Sequence, residues 1–329
     1  MLNPYVFEGR NVNDLLPRLT TELKRQPAAD SRNGPVRRFP HPVVIAYQRP
    51  QERVLFHPER DANPFFHLVE SLWMLAGRND LQTLTQYVKR MGEFSDDGGK
   101  TQPGAYGYRW RKFFKRDQLY WAIERLRENP NDRRVVIQMY DANFDQRAAD
   151  NDGKDIPCNL MALPSVVDGR LNLTVYNRSN DAIWGALGAN AVHFSVLQEY
   201  LAAGVGVPMG KYFQISNNLH GYDATIDKGD VDPNRSDAYA HGEVIPRNMF
   251  ESGFLPYEFD DDLTMFFDEP ARTGIRNAFL RQIACPMVMA HRAYKAGDKE
   301  AAREIITTQM PSNNDWRKGA EIWLSTRKN

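Results

Sequence analysis

The reading of this chain turns on PCNLMALPSVVDGRLNLTVYNRSNDAIWGALGAN, residues 157–190. Two hydrophobic runs, 160–167 and 170–177, flank Asp168-Gly169, and that dipeptide between apolar runs predicts a β-hairpin. Polar residues bracket the hairpin: Pro157-Cys158-Asn159 before it and Arg178-Ser179-Asn180-Asp181 after it. Residues 189–203 then read as a helix that is apolar on nearly all sides and so belongs in the core. A strand at 212–216 leads on to Asn218, His220 and Tyr222.

On the other side of this stretch, 133–140 read as a strand and 117–127 as a helix stopped by Asn129-Pro130-Asn131-Asp132. Nearer the start, Leu15, Leu16, Leu19 and Leu23 give helical spacing over 11–26, and 43–47 and 53–56 read as short strands. A helix begins at Asn63-Pro64 and runs up to Gly77 with Glu70 in its middle; a second spans 81–91, followed by a polar, glycine-bearing loop at 95–104. Residues 223–245 are acidic and loop-like, and helical patterns return at 274–295, 298–308 and 313–325. No repeat, low-complexity tract or linker divides the sequence. Residues 1–329 are therefore expected to form one α+β domain, a mixed, mostly antiparallel sheet covered by helices.

Lys plus Arg equals Asp plus Glu at 42 each, so the chain has no net field with which to hold a polyanionic nucleic acid or an anionic membrane. An anionic ligand must be small and met by a local cluster. Cys158 and Cys285 make no disulfide framework and no zinc-type pair, which fits a reducing compartment. The start, Met1-Leu2-Asn3-Pro4, has no basic region before an apolar run, and no stretch approaches a membrane span, so a cytoplasmic location is expected.

Cys158 between two strands is either a small buried hydrophobe or a nucleophile, and cations nearby, Arg178 on the next strand or Arg133-Arg134 on another, would favour its thiolate. Arg178-Ser179 sets a guanidinium beside a hydroxyl, which suits either a phosphate or a surface ion pair. Adjacent Arg133 and Arg134 on a strand point to opposite faces, so one is structural or they act across an interface. Asn190 either bonds its local backbone or reads a base: its carbonyl accepts from an imide N–H and its amide donates to a carbonyl, the edge of uracil, where an aspartate would suit cytosine better. Glu70 among leucines needs a partner or a wet cavity. His220 and Tyr222 share a face if their strand continues, within reach of a ribose hydroxyl.

In their order and spacing, Arg133-Arg134, Pro157-Cys158, Asp168-Gly169-Arg170-Leu171, Tyr176-Asn177-Arg178-Ser179-Asn180-Asp181, Gly185, Asn190, His220 and Tyr222 resemble the thymidylate synthase family, which includes the phage-type pyrimidine nucleotide hydroxymethylases. The resemblance is strongest over 132–222 and traceable from about Arg32. It implies the family's fold, with a sheet face forming a homodimer interface, and 5,10-methylenetetrahydrofolate as co-substrate without a metal. Cys158 would attack C6 of a pyrimidine monophosphate. Arg32, Arg178 and Ser179 would hold its phosphate, joined by Arg133 and Arg134 of the partner subunit. Asn190 would read the base, His220 and Tyr222 the 3′-hydroxyl, and Asp181 the pterin, beside Gly185. Glu70 would organise water and proton transfer, and Tyr106 would assist removal of the C5 proton.

The chain departs from the family's pattern at several places. Asn159 stands where histidine is common, Asn177 where glutamine is common, and Met91 and Phe94 where tryptophans pack the folate. One extra residue between Gly185 and Asn190 opens a shifted alignment with Ala189 in the reading position. Synthases commonly end in a short apolar tail, whereas this sequence ends Leu324-Ser325-Thr326-Arg327-Lys328-Asn329. Hydride transfer needs a tightly held folate and excluded solvent. These departures favour water as the final acceptor and hence hydroxymethylation of dUMP; the alternatives are reductive methylation of dUMP to dTMP and then hydroxymethylation of dCMP.

Overall fold

The structure is a computed structural model, and it describes residues 5–232, 237–250, 255–270 and 274–327. Its centre is a six-stranded mixed sheet in the order β1 (Tyr5–Gly9), β4 (Val43–Tyr47), β9 (Met209–Ser216), β7 (Arg170–Asn177), β6 (Asn159–Val167) and β5 (Ile137–Gln138). β1 runs parallel to β4 and β7 parallel to β9, and the other neighbours are antiparallel. A smaller sheet takes the order β2 (Ala28–Ala29), β3 (Val36–Arg38), β10 (Leu219–Tyr222) and β8 (Asn180–Asp181). Asp168 and Gly169 both take positive φ, 50° and 68°, as a two-residue turn between β6 and β7 requires.

One face of the large sheet is covered by helices. Leu171, Leu173 and Val175 of β7 and Val43, Ile45 and Tyr47 of β4 point inward, where α7 (Asn190–Val205) lies buried on almost every side. Against α7 pack α2 (Pro64–Leu75) and α5 (Gln118–Glu128). α2 starts as its sequence predicts: the Asn63 side chain accepts from Phe66 N, and Pro64 occupies the first turn. The remaining helices are α1 (Val12–Lys24), α3 (Leu81–Thr85), α4 (Tyr106–Tyr108), α6 (Ala142–Asp150), α8 (Pro256–Asp268), α9 (Cys285–Lys295), α10 (Lys299–Gln309) and α11 (Asp315–Ser325). One hydrophobic cluster runs through all these layers, from Val12 to Leu324. Among the described residues no helix is long and apolar enough to cross a membrane.

The opposite face of the large sheet carries two largely apolar rows of side chains, bordered by the exposed Glu8–Lys211 ion pair. Val6 is 58% exposed and pairs with Val44, which continues through Ile215 and Tyr176 to Met161; the next row holds Glu8, Ala46, Phe213, Thr174 and Leu163.

Several local expectations fail for identifiable reasons. Residues 53–56 are not a strand but buried coil, whose backbone groups find distant side chains: Val54 N donates to the Tyr239 hydroxyl, Phe56 N to Asn13 Oδ1, and Asn13 Nδ2 donates to Val54 O. The helix expected over 81–91 stops at Thr85, because Val88 turns extended, and a 3₁₀ segment, Lys89–Phe94, follows. Only Ile137–Gln138 of the strand expected over 133–140 is formed. Arg133 and Arg134 instead lie in a turn held by Asp132, whose carboxylate accepts from Arg134 N, Nε and Nη2. Their opposition across a strand therefore does not arise. The helical pattern assigned to 274–295 begins only near Leu280, and β1, α6 and α8 were not anticipated.

Candidate active site

A cleft of about 850 Å³ opens where the hairpin, α2, the start of α7 and the small sheet meet. Cys158, Glu70, Tyr106 and Asn190 line it, with Arg32, Arg178, Ser179, His220 and Tyr222, and with Asp181, Gly185, Met91 and Phe94. Asn190 reaches the cleft and Ala189 does not. Of the expected site residues only Arg133 and Arg134 do not line it.

Cys158 is half-buried at the head of β6, and three contacts fix its segment. Tyr106 arrives on α4, which presses so closely on α2 that a Cβ at Gly107 would stand 1.9 Å from Met74 O. The Tyr106 hydroxyl accepts from both Cys158 N and Asn159 N at 3.3 Å. Arg178, next to the strand end, donates through Nε to Pro157 O and through Nη2 to Ile156 O, each at 2.9 Å, while its backbone N bonds Cys158 O. Burial pushes the Cys158 thiol up, the Arg178 cation opposes that rise, and Asp155 adds to it. The cation expected to favour the thiolate is thus present but outweighed in this state. Asp155 also lines the cleft; burial raises its carboxyl to about 6, although it accepts a 2.7 Å bond from Gly104 N.

Asn190 belongs to a chain of buried amides. Its Oδ1 accepts from Asn159 Nδ2 at 3.3 Å and its Nδ2 donates to Asn180 Oδ1 at 3.0 Å. Asn180 Nδ2 donates to Gln214 Oε1 and Ser216 Oγ, and Gln214 Nε2 donates to the Tyr47 hydroxyl and to Ala186 O. The chain fixes which end of the Asn190 amide is the acceptor, and each end keeps capacity for one more bond. Gly185 makes the room: a Cβ there would lie 2.5 Å from Asn180 Oδ1 and 3.3 Å from Asn190 Nδ2. Asn177 bonds Ser216 Oγ behind this chain and does not line the cleft.

The small sheet supplies the other wall. His220 pairs in register with Asp181 across β10 and β8, and its ring stands edge-on to Tyr222 at 5.3 Å. Burial lowers the His220 imidazole against the pull of Asp181. Asp181 Oδ1 accepts from Ile183 N and Trp184 N, while Oδ2 is buried without a partner; burial raises this carboxyl, opposed by those backbone bonds and by His220 and Arg60. Glu70 lines the cleft, and its Oε2 lies 2.9 Å from Nε2 of His193 without completing a hydrogen bond. Among the described residues no group of three or more His, Cys, Asp and Glu is placed to hold a metal ion.

Sequence reasoning gave no role to Asn180, Gln214, Asp155 or His193. Asn180 sits within the Arg178–Asp181 motif, but its partners are on β9 and α7, so no local pattern marks it.

The thymidylate synthase family model matches residues 63–246. A deoxyuridylate hydroxymethyltransferase of Pseudomonas phage M6 is 45% identical, over 98% of this chain and 94% of that protein. A protein of the same name from Bacillus phage SP01 is 39% identical over 66% of this chain and 59% of its own length. The thymidylate synthase of Symbiobacterium thermophilum is 31% identical over 54% of this chain and 68% of that protein. Cleft, hairpin and sequence kinship agree: the chain belongs to the thymidylate synthase family.

Proposed function

We propose that this chain, as one catalytic domain over 1–329, transfers a one-carbon unit from 5,10-methylenetetrahydrofolate to C5 of dUMP, and that water completes the transfer to give a 5-hydroxymethyl nucleotide. The observation that carries the reading is the meeting, in one cleft, of the Cys158 thiol, the Arg178-Ser179 pair and an Asn190 amide of fixed orientation. Arg178 spends Nε and Nη2 on the Cys158 segment and keeps Nη1 for a phosphate oxygen, so one side chain ties nucleophile to anion site. Arg32 and Ser179 complete that site, and His220 and Tyr222 face the sugar.

Cys158 Sγ bonds to C6, and the C5=C6 pair moves toward C5 and O4. Asn190 supports the developing charge, with Nδ2 donating to O4 and Oδ1 accepting from N3–H. The folate, when bound, supplies a one-carbon unit at the oxidation level of formaldehyde. The residues present fit it: the unpartnered Oδ2 of Asp181 suits the N–H groups of a pterin, and Met91 and Phe94 offer an apolar wall beside Gly185. Tyr106 assists loss of the C5 proton, and the pair left by that proton becomes a double bond from C5 to the transferred carbon as the bond of that carbon to nitrogen breaks, so that tetrahydrofolate leaves. Water then bonds through oxygen to the carbon now on C5, its proton goes to Glu70, and the displaced pair re-forms C5=C6 and expels the Cys158 thiolate. Met91 and a Phe94 that is 40% exposed cover the folate less than a pair of tryptophans would, which supports water over hydride. The full-length likeness to a deoxyuridylate hydroxymethyltransferase supports the same branch.

A second copy related by a two-fold axis would cover the largely apolar rows on the outer face of the large sheet, where Val6 is 58% and Tyr176 36% exposed. Arg133 and Arg134, absent from their own cleft, would then complete the phosphate site of the partner. A reducing compartment such as the cytoplasm keeps Cys158 a free thiol. Running the reaction in heavy-oxygen water tests the branch: the product hydroxyl carries the label and tetrahydrofolate accumulates. Unlabelled product with dihydrofolate formed one-for-one would reject it.

A further inference from the structure

His193 sits on α7 three residues beyond Asn190, buried, and does not line the cleft. Its Nε2 is 2.9 Å from Glu70 Oε2, yet neither atom completes a hydrogen bond; His193 Nδ1 has no partner either. Buried polar atoms without partners are rare and costly, and two of them within reach of each other are each other's natural partners. Glu70 itself faces the reaction space, so whatever His193 does reaches the substrate through Glu70.

We propose that His193 is the positioning residue for Glu70: it holds Oε2 from behind, leaving the carboxylate poised toward the cleft. His67, on α2, is pushed down to about 3 by burial, with Arg60 and His193 adding to the effect, so it is neutral and donates no charge of its own. The Arg60 guanidinium is buried nearby in the same field. Glu70 is the one carboxylate in direct contact with His193 among the described residues. The proposal deepens the functional reading above and rests on it for its kinetic consequences, but the Glu70–His193 pair exists without substrate and is testable alone.

The test combines nitrogen NMR of the imidazoles with kinetics on the full chain. In the wild type, His193 Nε2 is expected to show the shift of a protonated, hydrogen-bonded nitrogen, and Glu70→Gln to move that signal while leaving the other imidazoles in place; an unmoved signal overturns the pair. With dUMP and methylenetetrahydrofolate, His193→Leu is expected to lower kcat about 10- to 100-fold, as loss of orientation does, with KM for dUMP within about twofold. His193→Gln, which keeps a donor at the same reach, recovers most of the loss. Equal damage by Leu and Gln, or loss that tracks only the folded fraction, overturns the positioning role. A wild type that does not turn over dUMP defeats the functional reading instead, and the NMR arm still decides the pair.

Discussion

Replacing Asn190 by Asp tests whether the buried amide chain sets base preference, because the change keeps shape and turns a donor into an acceptor. In the native site Asn190 Nδ2 donates to Asn180 Oδ1 at 3.0 Å, so an Asp places two acceptors across that gap. Asn180 cannot relieve this by turning its amide over, since its Nδ2 is committed to Gln214 at 2.9 Å and Ser216 at 3.1 Å. Losing the bond costs about 1 kcal/mol and leaving a buried acceptor unpaired about 1–3 more, roughly 2–4 kcal/mol together. At an unfolding entropy of about 2 cal/mol/K per residue, a chain of 329 residues loses about 3–6 °C in Tm. On the substrate side, the Asp no longer donates to O4 of uracil but accepts from the 4-amino group of cytosine. Two altered bonds at about 1.4 kcal/mol each lower the ratio of kcat/KM for dUMP over dCMP about 100-fold. Thermal denaturation and paired kinetics on both nucleotides measure the two effects. An unchanged Tm together with a ratio within about threefold of wild type would refute the argument that this chain orients the reading amide.

Three further outcomes are expected. Alkylation of Cys158 should rise with pH only beyond the ordinary thiol range, because burial raises its pKa, and Arg178→Leu should move the profile higher still by removing the opposing cation; Cys285, pushed up to about 11 by burial, is the slow control thiol within the same protein. A profile that moves down, or not at all, would show that Arg178 does not act on the thiol. Gly185→Ala should cost about 1–3 kcal/mol by overpacking and raise KM for dUMP, since its Cβ would enter the space of Asn180 and Asn190; native KM in a stable variant would contradict this. Protomers carrying Cys158→Ala, mixed with protomers carrying both Arg133→Ala and Arg134→Ala, should regain activity through one intact hybrid site. Hybrids as inactive as both parents would mean that these arginines serve no partner.

Much of the cleft was legible because its parts are local. The Asp168-Gly169 turn, the leucine spacing around Glu70 and the Arg178–Asp181 motif each declare themselves within a few residues, and the fold brings them together. What the sequence hid depends on partners far along the chain. Residues 53–56 look like a strand because they are apolar, and only the distant Asn13 and Tyr239 make a buried coil affordable there. Arg133 and Arg134 look like strand residues until Asp132 claims the turn. The orientation of Asn190 is set from three strands, by Asn159, Asn180 and, through it, Gln214, and no spacing rule joins them.

The central claim is that a Cys158 adduct at C6 lets dUMP receive a one-carbon unit that water completes. The most direct measurement is the mass of the nucleotide after incubation with dUMP and methylenetetrahydrofolate, beside a Cys158→Ser control. The account predicts a product heavier than dUMP by one CH2O unit and none from the control; a gain of one CH2 unit, or turnover that survives loss of the thiol, would contradict it.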